Sequence, residues 1–206
     1  MPGLDPEISS TISNYMKSRG VVVKEGFEVK SIENSSGSVL ISNGNESERF
    51  DAALLALGVR PNVELAKSMG LRLGETGAIW VDDFLKTSNE RVFAAGDNVE
   101  VKDLVLGKRR YVPLAPEANK EGYVAGSNLA GMSIAFPGSA GAAITKFYDL
   151  EIGSVGINEE EAKANGIDYY TVKIKHNSRA SYFPPRESID MKVIFDKKKV
   201  PLGAQL

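Results

Sequence analysis

The chain contains no cysteine. That absence removes disulfides, zinc–thiolate centres, cysteine-ligated iron–sulfur clusters and cysteine nucleophiles from anything these residues supply. Histidine is nearly absent too: His176 is the only one, which excludes multi-histidine metal sites and leaves a single histidine as a candidate general base. No metal site is expected. His176 stands beside Asn177-Ser178-Arg179, and nothing in the pattern supplies a Ser-His-Asp arrangement, so it reads as a surface or interface histidine. No apolar run approaches the length of a membrane span, and Met1 to Glu7 has no signal-peptide pattern, so no membrane partner and a cytoplasmic location are expected. Nor is there an excess of charge. Lys and Arg total 25 against 27 Asp and Glu, a net charge of -2, which argues against a bulk electrostatic hold on nucleic acid.

What remains is an ordinary globular composition: 206 residues, 42% hydrophobic, with 20 glycines. That is enough for one large domain or two small ones. Ile8, Ile12, Tyr15 and Met16 recur at helical spacing behind Asp5, with Gly20 where a helix would stop. Val21 to Val23 and Phe27 to Ile32 read as strands, followed by Ser38 to Ser42 between two polar turns, which makes a small antiparallel meander. Asp51 to Leu57 is a short apolar run of the kind found in strands covered on both faces. Gly58-Val59-Arg60-Pro61-Asn62 interrupts it, and a short helix to Met69 follows.

Ile79 to Val81 reads as a short strand, and Arg91 to Ala95 as a second buried strand ending on Gly96-Asp97. A strand delivering a carboxylate just past its carboxyl end is a common α/β ligand geometry; the alternative is that Asp97 caps a turn. Pro113 to Gly131 reads as a helix of small residues whose glycines point to something approaching its backbone. The start of this helix would offset negative charge on a flat ligand, though an ordinary amphipathic helix has the same pattern. Phe136 to Gly141 is the clearest linker. Beyond it come strands at 143–148, 169–175 and 191–195, and a helix over 158–164 opened by a capping box from Asn158 to Glu161. The chain ends within an apparent strand. Lys197 to Lys199 reads as a solvated turn.

Together these stretches resemble the FAD-dependent pyridine nucleotide-disulfide oxidoreductases, most closely the branch of coenzyme A-disulfide reductases and NADH oxidases. Asp51-x-x-Leu-Leu-Ala-Leu-Gly58-Val-Arg-Pro61-Asn62 is similar to the family's return from the nicotinamide domain to the flavin domain. Thr87-Ser88 through Gly96-Asp97 resembles its second flavin motif, and Pro113-Leu114-Ala115 with Ala118-Asn119-Lys120 resembles its flavin-facing helix. Ala143 to Phe147 and Glu161-Ala162 with Gly166 are similar to the start of the dimerisation domain. Ferredoxin and monodehydroascorbate reductases share the motif around Asp97, but residues 143–166 fit the disulfide reductase branch better.

The resemblance implies an α/β fold, α+β in its last part, within a three-domain flavoprotein. Residues 1–60 would be the end of the NAD(P)-binding domain, 61–136 the second segment of the FAD-binding domain, and 137–206 a truncated dimerisation domain. It implies cofactor binding by Thr87, Ser88, Gly96, Asp97, Pro113, Leu114 and Ala115, and substrate contacts by Asn119 and Lys120. Tyr182 would reach from a partner subunit toward the active site of a homodimer. The family's two glycine-rich nucleotide motifs and its redox cysteine are not in this chain, so both the FAD and the NAD(P)H sites would be incomplete and no catalytic residue is expected here. The implied activity is hydride transfer from NAD(P)H through flavin to a small disulfide, such as coenzyme A disulfide, or to oxygen. The alternative for the chain alone is a non-catalytic module that dimerises and holds part of a nucleotide site.

Overall fold

A computed structural model gives the fold and describes residues 3–206. The chain divides into two compact units, Thr11–Val59 in one and Arg60–Leu206 with the segment ending at Ser10 in the other. Helix α1, Pro6–Ser18, runs from the larger unit into the smaller. It stops before Gly20, whose φ of +83° is the left-handed value that ends helices cheaply only at glycine.

In the smaller unit, β1 (Ser31–Ser35), β2 (Ser38–Ser42) and β3 (Ser47–Phe50) form the expected antiparallel meander in the order β1-β2-β3. Ile32 faces Ile41 across the first pair. The second turn is closed by Asn43, whose Oδ1 accepts the N–H groups of Asn45 and Glu46. Two expectations fail here. Residues 21–30 form no strand, and the ladder begins only at Ser31. The apolar run from Asp51 to Leu57 is not a covered strand either: it has no ladder partner, and Leu54 and Leu57 are 94% and 86% exposed. An apolar run becomes a buried strand only where other elements cover it, and none of the described residues does so here.

The larger unit holds two separate sheets. The first is built on β4 (Ile79–Trp80), β5 (Val99–Lys102) and β6 (Arg109–Tyr111), with β4 parallel and β6 antiparallel to the central β5. Helix α2 (Glu64–Ser68) and helix α3 (Ala115–Leu129) pack on it. Ala66, Ile79, Val81, Leu85, Val99, Val101, Val124 and Phe136 meet in one apolar core. Arg91 to Ala95, expected as a buried strand, forms only the isolated bridge from Phe93 to Lys86. Its apolar side chains pack against that core but are only partly buried, so neither the ladder nor full burial is found. The run is too short of neighbours to extend a sheet.

The second is an antiparallel sheet in the order β7-β8-β11-β10-β9. Its strands are β7 (Ala143–Phe147), β8 (Leu150–Gly156), β9 (Tyr169–Asn177), β10 (Ser188–Asp196) and β11 (Pro201–Gln205). Helix α4 (Glu159–Ala164) has the expected capping box: Asn158 Oδ1 accepts from Glu161 N–H at 2.7 Å, and the Glu161 carboxylate accepts from Asn158 N–H at 3.2 Å. Gly203 lies opposite Gly156, and a Cβ on Gly203 would stand 2.0 Å from the Ile157 carbonyl oxygen, so only glycine admits this crossing.

The two faces of this sheet differ. Tyr170, Val172 and Ile174 pair across the ladder with Phe195, Val193 and Met191, forming an apolar face whose β9 side chains are 37–48% exposed. Lys192 and Gln205, also paired, are buried on the opposite side. Lys192 there meets Asp5 and Glu7, both at 2.8 Å, and Glu159. Asp5 further accepts from Glu159 N–H at 3.0 Å and from Gln205 Nε2 at 3.1 Å. A buried lysine is tolerated because three carboxylates surround it.

Candidate functional site

The turn at Gly96-Asp97 is held against α3. Gly96 has a φ of +87°, and a Cβ there would lie 3.7 Å from that of Ala118. Its N–H donates to the buried carboxylate of Glu121 at 2.7 Å. The Asp97 carbonyl accepts from the Tyr111 hydroxyl at 2.8 Å. The backbone of the turn is therefore fixed on both sides, while the Asp97 side chain is exposed and its carboxylate has no hydrogen-bond partner among the described residues. Beside it, Asn98 Oδ1 is buried and lacks a partner among the described residues. That is an unused acceptor next to an unused carboxylate.

The electrostatics follow from this crowding. Burial pushes the Glu121 carboxyl above the usual carboxylate range; the charges of Glu117 and Asp97 add to that rise, and the Gly96 N–H opposes it. Burial likewise raises the Tyr111 hydroxyl, with the Asp97 charge contributing.

Helix α3 begins at Ala115 after an extended Leu114, with no side-chain cap. The Leu114 carbonyl takes the N–H groups of Glu117 and Ala118, and Pro116 has none to give. The Ala115 N–H is thus the free donor at this end, on an exposed residue. Ala115, Asn119, Gly122 and Gly126 lie along one exposed face of α3, and a Cβ on either glycine would meet nothing within 4 Å. None of the described residues approaches that backbone, although its small residues leave room for something to do so.

Gly96, Asp97, Leu114 and Ala115 are thus gathered around the first turns of α3, together with Pro113 just before it. Asn119 and Lys120 lie on the exposed side of the same helix and line a cavity of about 660 Å³ with Glu117, Tyr123 and the 136–140 linker. Thr87 and Ser88 are placed differently. The buried Thr87 hydroxyl bonds Asn89 backbone and so shapes the turn that leads to Val92, while Ser88 Oγ accepts the Arg72 N–H at 2.9 Å and ties this segment to the one before β4. Tyr182 is 84% exposed on the loop between β9 and β10, with no bond to the Asp97 group. Glu121 and Tyr111 carry no motif in the sequence. The i, i+4 spacing of Glu117 and Glu121 on the buried side of α3 was the available clue.

The first 122 residues match the family described as pyridine nucleotide-disulphide oxidoreductase. The chain belongs to that family. Residues 142–206 match its dimerisation domain. Over 159 residues the chain is 49% identical to an NAD(P)H sulfur oxidoreductase (CoA-dependent) of Pyrococcus furiosus, covering 77% of this chain and 36% of that protein. A NAD-dependent persulfide reductase from A. fulgidus has the same fold with a TM-score of 0.93 at 40% identity, over 98% of this chain and 38% of the other. An FAD-dependent pyridine nucleotide-disulphide oxidoreductase from Desulfovibrio vulgaris matches all of this chain and 50% of its own, with a TM-score of 0.86 and 31% identity. The chain spans about a third to a half of the length of these relatives. Members of the family use FAD and NAD(P)H. Among the described residues, no helix is long and apolar enough to cross a membrane.

Proposed function

We propose that this chain supplies part of the flavin site and the dimer-forming portion of an FAD-dependent NAD(P)H oxidoreductase that reduces a small disulfide or persulfide, or oxygen. The observation that carries this reading is the Gly96-Asp97 turn, pinned by Glu121 and Tyr111, which leaves the Asp97 carboxylate exposed. FAD, when bound, supplies hydride and single-electron chemistry. The residues present fit it: Asp97 accepts hydrogen bonds from polyol hydroxyls, the unused Asn98 Oδ1 is a further acceptor, and the open face of α3 admits a flat ring system. The start of α3 favours negative charge at the edge of that ring system.

In this reading, residues 1–60 complete a nicotinamide-binding domain, 61–136 a flavin-binding domain, and 137–206 a dimerisation domain. The exposed apolar face of Tyr170, Val172 and Ile174 supports a homodimer. Tyr182 then reaches the partner's site, and Asn119 and Lys120 contact the substrate in the cavity they line. A nicotinamide-dependent reductase of this kind works in the cytoplasm, where its reductant is. Thr87 and Ser88 stand in the segment that leads to Asp97 and complete the cofactor-binding set in this reading.

A second reading applies to the chain alone, and the absence of cysteine favours it. Without a thiolate, these residues cannot form a disulfide with a substrate, so by themselves they dimerise and hold half of a nucleotide site. The test is Asp97→Ala in the complete flavoprotein, with the flavin-to-protein ratio measured after gel filtration. A lower ratio is expected, and an unchanged one would sink the assignment of Asp97. NAD(P)H consumption by the isolated chain with added FAD would remove the second reading.

A further inference from the structure

A second cavity, of about 490 Å³, shares no lining residue with the one beside Asn119. Trp80 stands in it at the end of β4, opposite Glu100 on β5, and Arg109 on β6 pairs with Lys102, two residues further along β5. The Trp80 backbone N–H donates to the Arg72 carbonyl at 3.1 Å. The backbone ladder therefore fixes the positions from which both arginines reach the indole. Their guanidinium carbons lie 4.8 Å (Arg72) and 5.8 Å (Arg109) from the ring centroid. Lys108 completes the cationic wall.

These cations are poorly paired. The Arg72 guanidinium has no carboxylate or hydrogen-bond partner among the described residues, and Arg109 comes only within 4.0 Å of Asp83. Lys108 Nζ donates to Asn165 Oδ1 at 2.6 Å, a neutral acceptor. Two carboxylates also line the cavity. Glu100 is already engaged, accepting from Thr76 N–H at 3.2 Å and from Thr76 Oγ1 at 2.8 Å; Glu75 remains as a lone acidic group. The balance of the lining is one positive charge, three cations against two carboxylates, in a chain whose net charge is negative.

A guanidinium lying over an aromatic ring is restrained in orientation, while its in-plane N–H donors point outward. Such donors match the oxygen geometry of a phosphate. The cavity volume is that of a small-molecule site. We propose that this cavity binds a small diphosphate-bearing anion, its phosphates held by Arg72, Arg109 and Lys108, with Trp80 as the plate that orients the two guanidinium groups. Glu75 tunes the site against carboxylate-rich ligands and accepts from a ligand hydroxyl.

Trp80 is the only tryptophan of the chain, so its emission reports on the site directly. The 206-residue chain would be titrated with inorganic pyrophosphate and, separately, with ADP, at ionic strength held constant against sodium chloride. A saturable change in emission is expected with at least one of them. Stronger binding of ADP assigns the site to organic diphosphates, and stronger binding of pyrophosphate to the free anion. Arg72→Gln and Lys108→Gln should each weaken binding about tenfold, the loss expected of one charge-assisted hydrogen bond, with circular dichroism confirming the fold. If both probes only reproduce the chloride curve, or Arg72→Gln binds as tightly as the parent, the proposal is overturned.

Discussion

Replacing Lys192 with Met keeps an unbranched apolar stem, one heavy atom shorter, and deletes the charged ammonium group. Lys192 and Asp5 are 1% and 2% exposed, so the substitution strands a buried carboxylate. Breaking one side of a buried ion pair typically costs about 3–5 kcal/mol. Glu7 and Glu159 retain 38% and 26% exposure, and water recovers part of their charge. The lower end, about 3 kcal/mol, is therefore expected. For a chain of this size that lowers the melting temperature by about 6–12 °C. Asp5→Asn retains the acceptor for the Glu159 N–H, so the double variant Asp5→Asn/Lys192→Met should recover part of the loss. Urea unfolding of the four proteins gives the coupling.

The same cluster fixes the pH dependence. Hydrogen bonds from Lys173 and then Lys192 hold the Glu7 carboxyl at about 2, against an ordinary value of 4.5. Its pKa is depressed in the folded state, so its stabilisation is complete above pH 4.5 and disappears as pH falls toward 2. Burial works against the charged form of Lys192, but its bonds to Asp5, Glu159 and Glu7 outweigh that and raise its pKa above 10.5. That contribution is complete below pH 10.5 and is lost only at higher pH. The contribution of this cluster should be flat between these limits, and Lys192→Met should show a smaller loss on the acid side. A cost under about 1 kcal/mol, or additive single substitutions, would refute the argument.

Other substitutions probe the remaining elements. Glu121→Ala leaves the Gly96 N–H without its acceptor and should cost about 1–3 kcal/mol. Glu121→Gln keeps an acceptor without the charge that burial disfavours, so it should be neutral or stabilising at neutral pH; thermal melts compare the two. Asn158→Ala removes the cap of α4 and should cost about 1 kcal/mol by denaturant titration. The exposed Leu54 and Leu57 should make the isolated chain self-associate, and Leu54→Lys with Leu57→Lys should shift light scattering toward the monomer. A monodisperse unsubstituted chain would contradict that expectation.

Local chemistry was legible before any coordinates. The helix spacing of Ile8, Ile12 and Met16, the turn residues around Asn43, and the Asn158–Glu161 box each act within a few residues, so composition and period determined α1, the meander and the start of α4. The motif running from Thr87 to Asp97, with the small residues after Pro113, also carried the family resemblance. Ladder membership was different. Asp51 to Leu57 and Arg91 to Ala95 carry the apolar pattern of strands, but a ladder needs a partner backbone that no local pattern guarantees. Tertiary structure alone decided that Glu121 ties α3 to Gly96, that Tyr111 holds Asp97, and that Lys192 is buried among carboxylates contributed by residues 5, 7 and 159. Each of these contacts joins segments far apart in the chain, and a charged side chain looks the same in sequence whether water or a buried partner surrounds it.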